Sequence, residues 1–140
     1  MNTSFQDIYD FFLSKITEYE FINLTEVELN VELKVILRKS LGKCVSFKDI
    51  KADWDMEEFN RELEDLEIDI ISDWMVINWI TPKINNIELF KQRLPSKDFT
   101  THSQANHLKE LLETRKNAES NVHYWMNRYS WIKKTKEGVN

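Results

Sequence analysis

Apolar side chains recur along most of this chain at intervals of three and four, the spacing of one helix face. Phe5, Ile8, Phe12 and Ile16 share such a face, widened by Phe11 and Leu13. They predict a first helix over residues 4–16 with Ser4 as its cap. The second start signal is sharper. Thr25 and Glu28 form a capping box, and Leu24 and Leu29 occupy the positions of a hydrophobic staple. That helix should run through Leu33, Ile36 and Leu37 and stop at Gly42. A third should begin near Asp65, where Leu66, Ile70, Trp74 and Ile77 fall at helical spacing. Ile71 and Met75 widen its face so far that it reads as the central, mostly buried helix. Pro82 ends or kinks it, and Asn85-Asn86 signals a turn. Ile87–Leu94 then predicts a short connecting helix closed by Pro95, with Ser96–Thr101 as a polar link.

The longest pattern is the last. Leu108, Leu111, Ala118, Val122, Trp125, Tyr129 and Ile132 form a heptad-like stripe, with Arg115 in the one remaining slot. A helix over 103–132, with Ser103 as cap, would span about 45 Å. A compact fold of this length has a diameter of only about 37 Å. Part of that helix should therefore protrude or lie across a neighbouring copy. Between the second and third helices the pattern weakens. Val45, Phe47 and Ile50 alternate loosely, so residues 43–59 read as a short strand pair or an extended loop. The fold class is mainly α, a bundle of about four main helices with a long C-terminal one. Residues 1–132 form one helical domain, and 133–140 a basic tail, flexible unless docked.

Composition supports helices. Two glycines and two prolines in 140 residues cannot supply the turns of an all-β fold. They also leave no glycine-rich phosphate loop. Eight Phe, five Trp and four Tyr provide large apolar area for a core or an interface. The first 20 residues carry no basic start followed by an apolar run, and no stretch is long enough to span a bilayer. The expectation is a soluble protein made in the cytoplasm, with no membrane partner.

The net charge of −5 conceals a gradient. Residues 1–100 carry 12 basic and 20 acidic side chains, whereas residues 101–140 carry 7 and 4. Eleven acids fall within Asp49–Asp73 against Lys51 and Arg61 alone. Such a block repels nucleic acid, and reads as a solvated face or a surface for a basic partner.

Candidate chemistry is sparse. Asp53, Asp55, Glu57 and Glu64 match four positions of a calcium loop, but Glu58 stands where the turn glycine belongs and Arg61 where a ligand belongs. His102 and His107 lie on different helix faces, and His123 is remote from both. Cys44 is the sole cysteine, which rules out a disulfide within the chain, and it suits a small buried hydrophobe. No catalytic, metal or cofactor residue is assigned, and an enzyme is not expected. The C-terminal end differs. Trp125, Tyr129 and Trp131 are interleaved with Arg128, Lys133, Lys134 and Lys136. Aromatics among cations suit protein hot spots and can also stack bases. Core packing is the alternative for Trp125 and Tyr129, which lie on the apolar stripe; Trp131 is off it. Trp125, Tyr129 and Trp131, assisted by Lys133 and Lys134, are the expected partner-binding residues.

The segments DWMVINWITPKIN (Asp73–Asn85) and SKDFTTHSQANHLKELLETRKNAESNVHYWMNRYSW (Ser96–Trp131) resemble the head–tail connector proteins of tailed bacteriophages. The shared order is an apolar helix ending in W-I-x-P, a K-D-F link, and S-Q-A-N-H-L-K-E-L opening a long final helix. The likeness covers about the last half of the chain; the first half matches only as a generic helix pair. It implies a helical virion protein of the phage neck, assembled as a homo-oligomeric ring, commonly of twelve copies. Such a ring sits between the portal and the next neck or tail component, around a channel through which DNA passes without specific binding. It implies no catalytic residue. Two other readings follow from the residues alone: a cytoplasmic helical interaction or regulatory module, and a binder of single-stranded nucleic acid through the terminal aromatic-basic cluster.

Overall fold

Ser4 and Asp7 cap the first helix reciprocally. The Ser4 hydroxyl accepts the Asp7 amide at 3.2 Å, and the Asp7 carboxylate accepts the Ser4 amide at 3.3 Å. Helix α1 spans Phe5–Ser14, so it stops two residues short of the expected Ile16. The computed structural model describes residues 1–16, 21, 23–93 and 102–138. Among these, α2 spans Glu26–Lys43, β1 Ala52–Asp53, β2 Glu58–Phe59, α3 Asp65–Arg93 and α4 His102–Gly138. The chain is mainly helical, with a long final helix and one short antiparallel hairpin. The polar link at 96–101 and the Ser103 side chain lie outside the described residues.

Helix α2 begins where its sequence signal places it, with the Thr25 hydroxyl accepting the Glu28 amide at 3.2 Å, though the return bond of a full capping box is made only at α1. It passes Gly42 by one residue, and Cys44 closes it. The expected short strand pair forms within 43–59, but at its far end and not at the alternating Val45 and Phe47. Its strands lie at 52–53 and 58–59, whereas Val45 is exposed and Phe47 turns into the core. Ala52 pairs with Phe59 and Asp53 with Glu58. The Asp53 carboxylate accepts the amides of Asp55 and Met56, which builds the loop between the strands. The N-terminal segment runs along the other side of β2. There the Phe59 amide donates to the Thr3 carbonyl at 2.8 Å and the Phe5 amide to Glu57 at 2.9 Å.

Helix α3 is the hub, touched by α1, α2 and α4, with the α3–α4 pair the most extensive. Ile70, Ile71, Met75 and Ile80 are all fully buried, although they point to different sides. A helix enclosed this way shows little segregation of apolar and polar faces. It also runs unbroken through Pro82 and Asn85-Asn86, which corrects the expected stop and separate connecting helix. Pro82 removes one backbone donor, but it lies on the exposed side, where water can take the carbonyl of Asn78. Buried Ile80 and Ile84 on either side hold the helix on course. Lys15 ties α1 to α3 through Asp69 and, at 2.9 Å, through Asp73. Asn78 ties α2 to α3 by donating to the Ser40 hydroxyl at 3.0 Å.

Candidate interaction surface on the final helix

The register of α4 on α3 is set by one buried carboxylate. Glu67 opens α3 and is 0% exposed. Arg61 donates to it from both terminal nitrogens, at 2.9 and 2.6 Å, and the Glu64 amide donates at 2.8 Å. The fourth donor is the Tyr129 hydroxyl of α4, at 2.9 Å. Burial pushes the Glu67 carboxyl upward, but these four donors outweigh it and hold the group below its ordinary range. The same contact, with burial, pushes the Tyr129 phenol well above its ordinary value. The Phe47 ring meets Tyr129 edge-on at 4.7 Å. Lys133 lies 5.4 Å from the Tyr129 ring centre and 3.9 Å from Glu64.

This arrangement corrects two expectations. Tyr129 is a core residue that clamps α4 to α3, so it is closed to partners. Residues 133–138 continue the helix six positions past Ile132, with Lys133 packed back on the body rather than starting a loose tail. The buried seam of α4 is Leu111, Ala118, Val122 and Tyr129; Leu108 and Trp125 are half-buried, and Ile132 faces outward. At 37 residues, α4 is about 55 Å long.

With Tyr129 turned inward, residues about 200° round the helix must turn outward. Trp131 is 64% exposed and Tyr124, two turns earlier, is 59% exposed. Arg128 lies between them, also exposed, and Lys134 follows. Of the five expected contact residues, Trp131 and Lys134 are on this ridge, Trp125 is only at its edge, and Tyr129 and Lys133 are on the opposite side. Trp125 supports the ridge by meeting the Tyr124 ring edge-on at 4.8 Å. Tyr124 is the residue that stripe reasoning passes over. Its signal was the seven-residue spacing to Trp131, off the apolar seam.

The remaining sequence candidates have structural work. Asp53 builds the hairpin loop and Glu57 pairs with Lys34 at 2.7 Å. Glu57 does this in a left-handed conformation, φ 54°, which costs a non-glycine residue about 1 kcal/mol. Cys44 is buried, which pushes its thiol up to about 12 and leaves it unreactive at neutral pH. Among the described residues no group of His, Cys, Asp and Glu is placed to hold a metal ion, and no helix is long and apolar enough to cross a membrane. Comparison with protein-family models, with curated proteins and with solved structures gave no match.

Tyr129→Phe keeps the ring and removes one bond to a buried carboxylate. It should lower the unfolding free energy by about 1.5–3 kcal/mol, seen as a lower urea midpoint at unchanged slope. An unchanged midpoint would mean that the hydroxyl is not part of the clamp.

Proposed function

We propose that this chain is a structural adaptor of a phage neck, acting through the Tyr124–Arg128–Trp131 ridge of α4. The observation that carries this reading is the ridge itself: two large aromatics and an arginine, all exposed, on a helix of 37 residues packed on an α3 of 29. Trp, Tyr and Arg are the residues that dominate protein–protein contacts. The neck assignment comes from the resemblance of residues 73–85 and 96–131 to head–tail connector proteins. It agrees with the acidic block at 49–73, which disfavours sticking to DNA in a conduit.

The test has two parts. Mass spectrometry of purified virions from the phage that encodes the chain should find it in near-stoichiometric amount with the portal. Purified portal rings should then retain the protein, and Trp131→Ala with Arg128→Glu should weaken retention about thirty-fold or more. Virions that lack the protein would overturn the neck reading. The same ridge would then belong to a cytoplasmic interaction module.

A further inference from the structure

The end of α2 and the loop after it enclose a cavity of about 300 Å³, walled by Leu41, Cys44, Phe47, Ile50 and Trp54. No charged side chain is among its walls. Both rings are held in place. Trp54 meets Phe5 edge-on at 5.0 Å and has the Arg38 guanidinium 4.5 Å from its centre, while Phe47 leans on Tyr129. A preformed pocket spares an incoming group the cost of ordering its walls. A cavity of about 150 Å³ accepts a benzene ring, and whole drug-sized ligands need about 300 Å³ or more. The size therefore suits one large side chain.

The rim carries mainly one sign of charge. Residues 38–51 hold five cations and a single acid. Lys43 stands between Gly42 and Cys44, Lys48 follows Phe47, and Lys51 follows Ile50. All three are exposed and make no ion pair among the described residues, and exposed Lys39 adds charge one turn before Lys43. The one acid, Asp49, is engaged by Arg61 at 3.1 Å. Beyond Trp54 the sign reverses, with Asp53 and Asp55 in the hairpin. An anion is thus attracted on the α2 side and repelled on the hairpin side, which orients whatever enters.

We infer that this cavity and its rim form a docking site for an acidic peptide segment of a partner protein. One large apolar side chain of the segment fills the cavity, and its neighbouring carboxylates lie over Lys43 and Lys48. A desolvated anchor inside a polar rim is the arrangement that concentrates binding energy. The site shares no residue with the α4 ridge, so the inference stands apart from the neck reading.

Fluorescence anisotropy on the full chain tests this with a dye-labelled peptide that has one tryptophan between two pairs of glutamates. The peptide should bind and lose affinity as salt rises. Changing its tryptophan to alanine, or its glutamates to lysines, should weaken binding about tenfold or more. Lys43→Glu combined with Lys48→Glu should do the same, at an unchanged circular dichroism spectrum because both positions are exposed. Gly42→Trp is a second check that leaves the charge alone. Gly42 is part of the wall, and a Cβ there meets nothing within 4 Å, so the variant should fold while its indole crowds the opening. Cys44, the sole cysteine, locates the contact: saturating peptide should slow its alkylation at alkaline pH about tenfold. Failure of the peptide to bind at low salt would overturn the inference. So would binding that is indifferent to both variants, or that leaves Cys44 alkylation unchanged. Equal binding of the alanine peptide would reduce the site to a charged surface. Tighter binding of a single-stranded oligonucleotide or of phosphatidylserine vesicles, lost on reversing the two lysines, would assign the cations to phosphate; either result overturns the inference.

Discussion

Exchanging Glu67 for alanine should lower the unfolding free energy by about 3–5 kcal/mol, the cost of breaking a buried charge pair from one side. Four donors on three residues lose their acceptor at once: both Arg61 nitrogens, the Glu64 amide and the Tyr129 hydroxyl. The last is the one that spreads the effect, since it joins the start of α3 to the far end of α4. Chemical denaturation measures the loss. A change within about 0.5 kcal/mol, the range of an ordinary surface substitution, would show that the carboxylate is not a hub. Glu67→Gln gives the pH signature. The folded carboxyl lies below its ordinary value of 4.5 because its four donors outweigh burial. Its contribution to stability is therefore complete above that value and disappears as pH falls through the folded one. Asp73 has the opposite sign. Burial raises it, Asp69 adds to the rise and Lys15 opposes it, so its contribution is present below 3.8 and is lost as pH increases through the raised value. Acid unfolding of the parent should be steepened by Glu67 and softened by Asp73, and Glu67→Gln should flatten the fall in stability below about pH 4.5.

The second large effect is expected at Trp79. Its ring takes the edge of Phe12 at 6.3 Å and lies 6.0 Å from Phe21, with the Lys83 ammonium 5.1 Å from its centre. It thus joins α1, the segment before α2, and α3 at one point. Trp79→Ala should cost about 3–5 kcal/mol, a large part of the 5–15 kcal/mol that ordinary domains possess. Trp79→Phe should lose markedly less, because a smaller ring still meets Phe12. Equal losses in the two variants would mean that the aromatic contact contributes nothing beyond the indole's bulk.

Helix starts were legible in the sequence where a cap announced them. Ser4 and Thr25 both bond the amide three residues on, and α3 does begin at Asp65. Stops were less legible. Pro82 and Asn85-Asn86 are local signals, and they lost to burial of Ile80 and Ile84 on both sides of them. The hairpin was legible only as a segment, 43–59, because strands of two residues carry no period that fixes their ends. The ridge was legible in part. Trp131 stands off the apolar seam, and that alone implied exposure. Tyr129 sits on the seam among cations, a pattern that core and contact residues share, so only its bond to Glu67 separates them. Glu67 itself could not be singled out. It is one of eleven acids in its segment, and its role comes from an arginine six residues earlier and a tyrosine 62 residues later.

Those separations bear on how the chain reaches its native state. Thr3 accepts from the amide of Leu63, Lys15 bonds Asp73, and Glu67 waits for Tyr129, at sequence separations of 60, 58 and 62. Helical bundles usually fold quickly because their contacts are local. Here the contacts that lock α1, the hairpin and α4 onto α3 all require closure of loops comparable to half the chain. Folding should therefore be slower than helix content alone suggests, and a nascent chain keeps one side of its central helix uncovered until α4 has been synthesised.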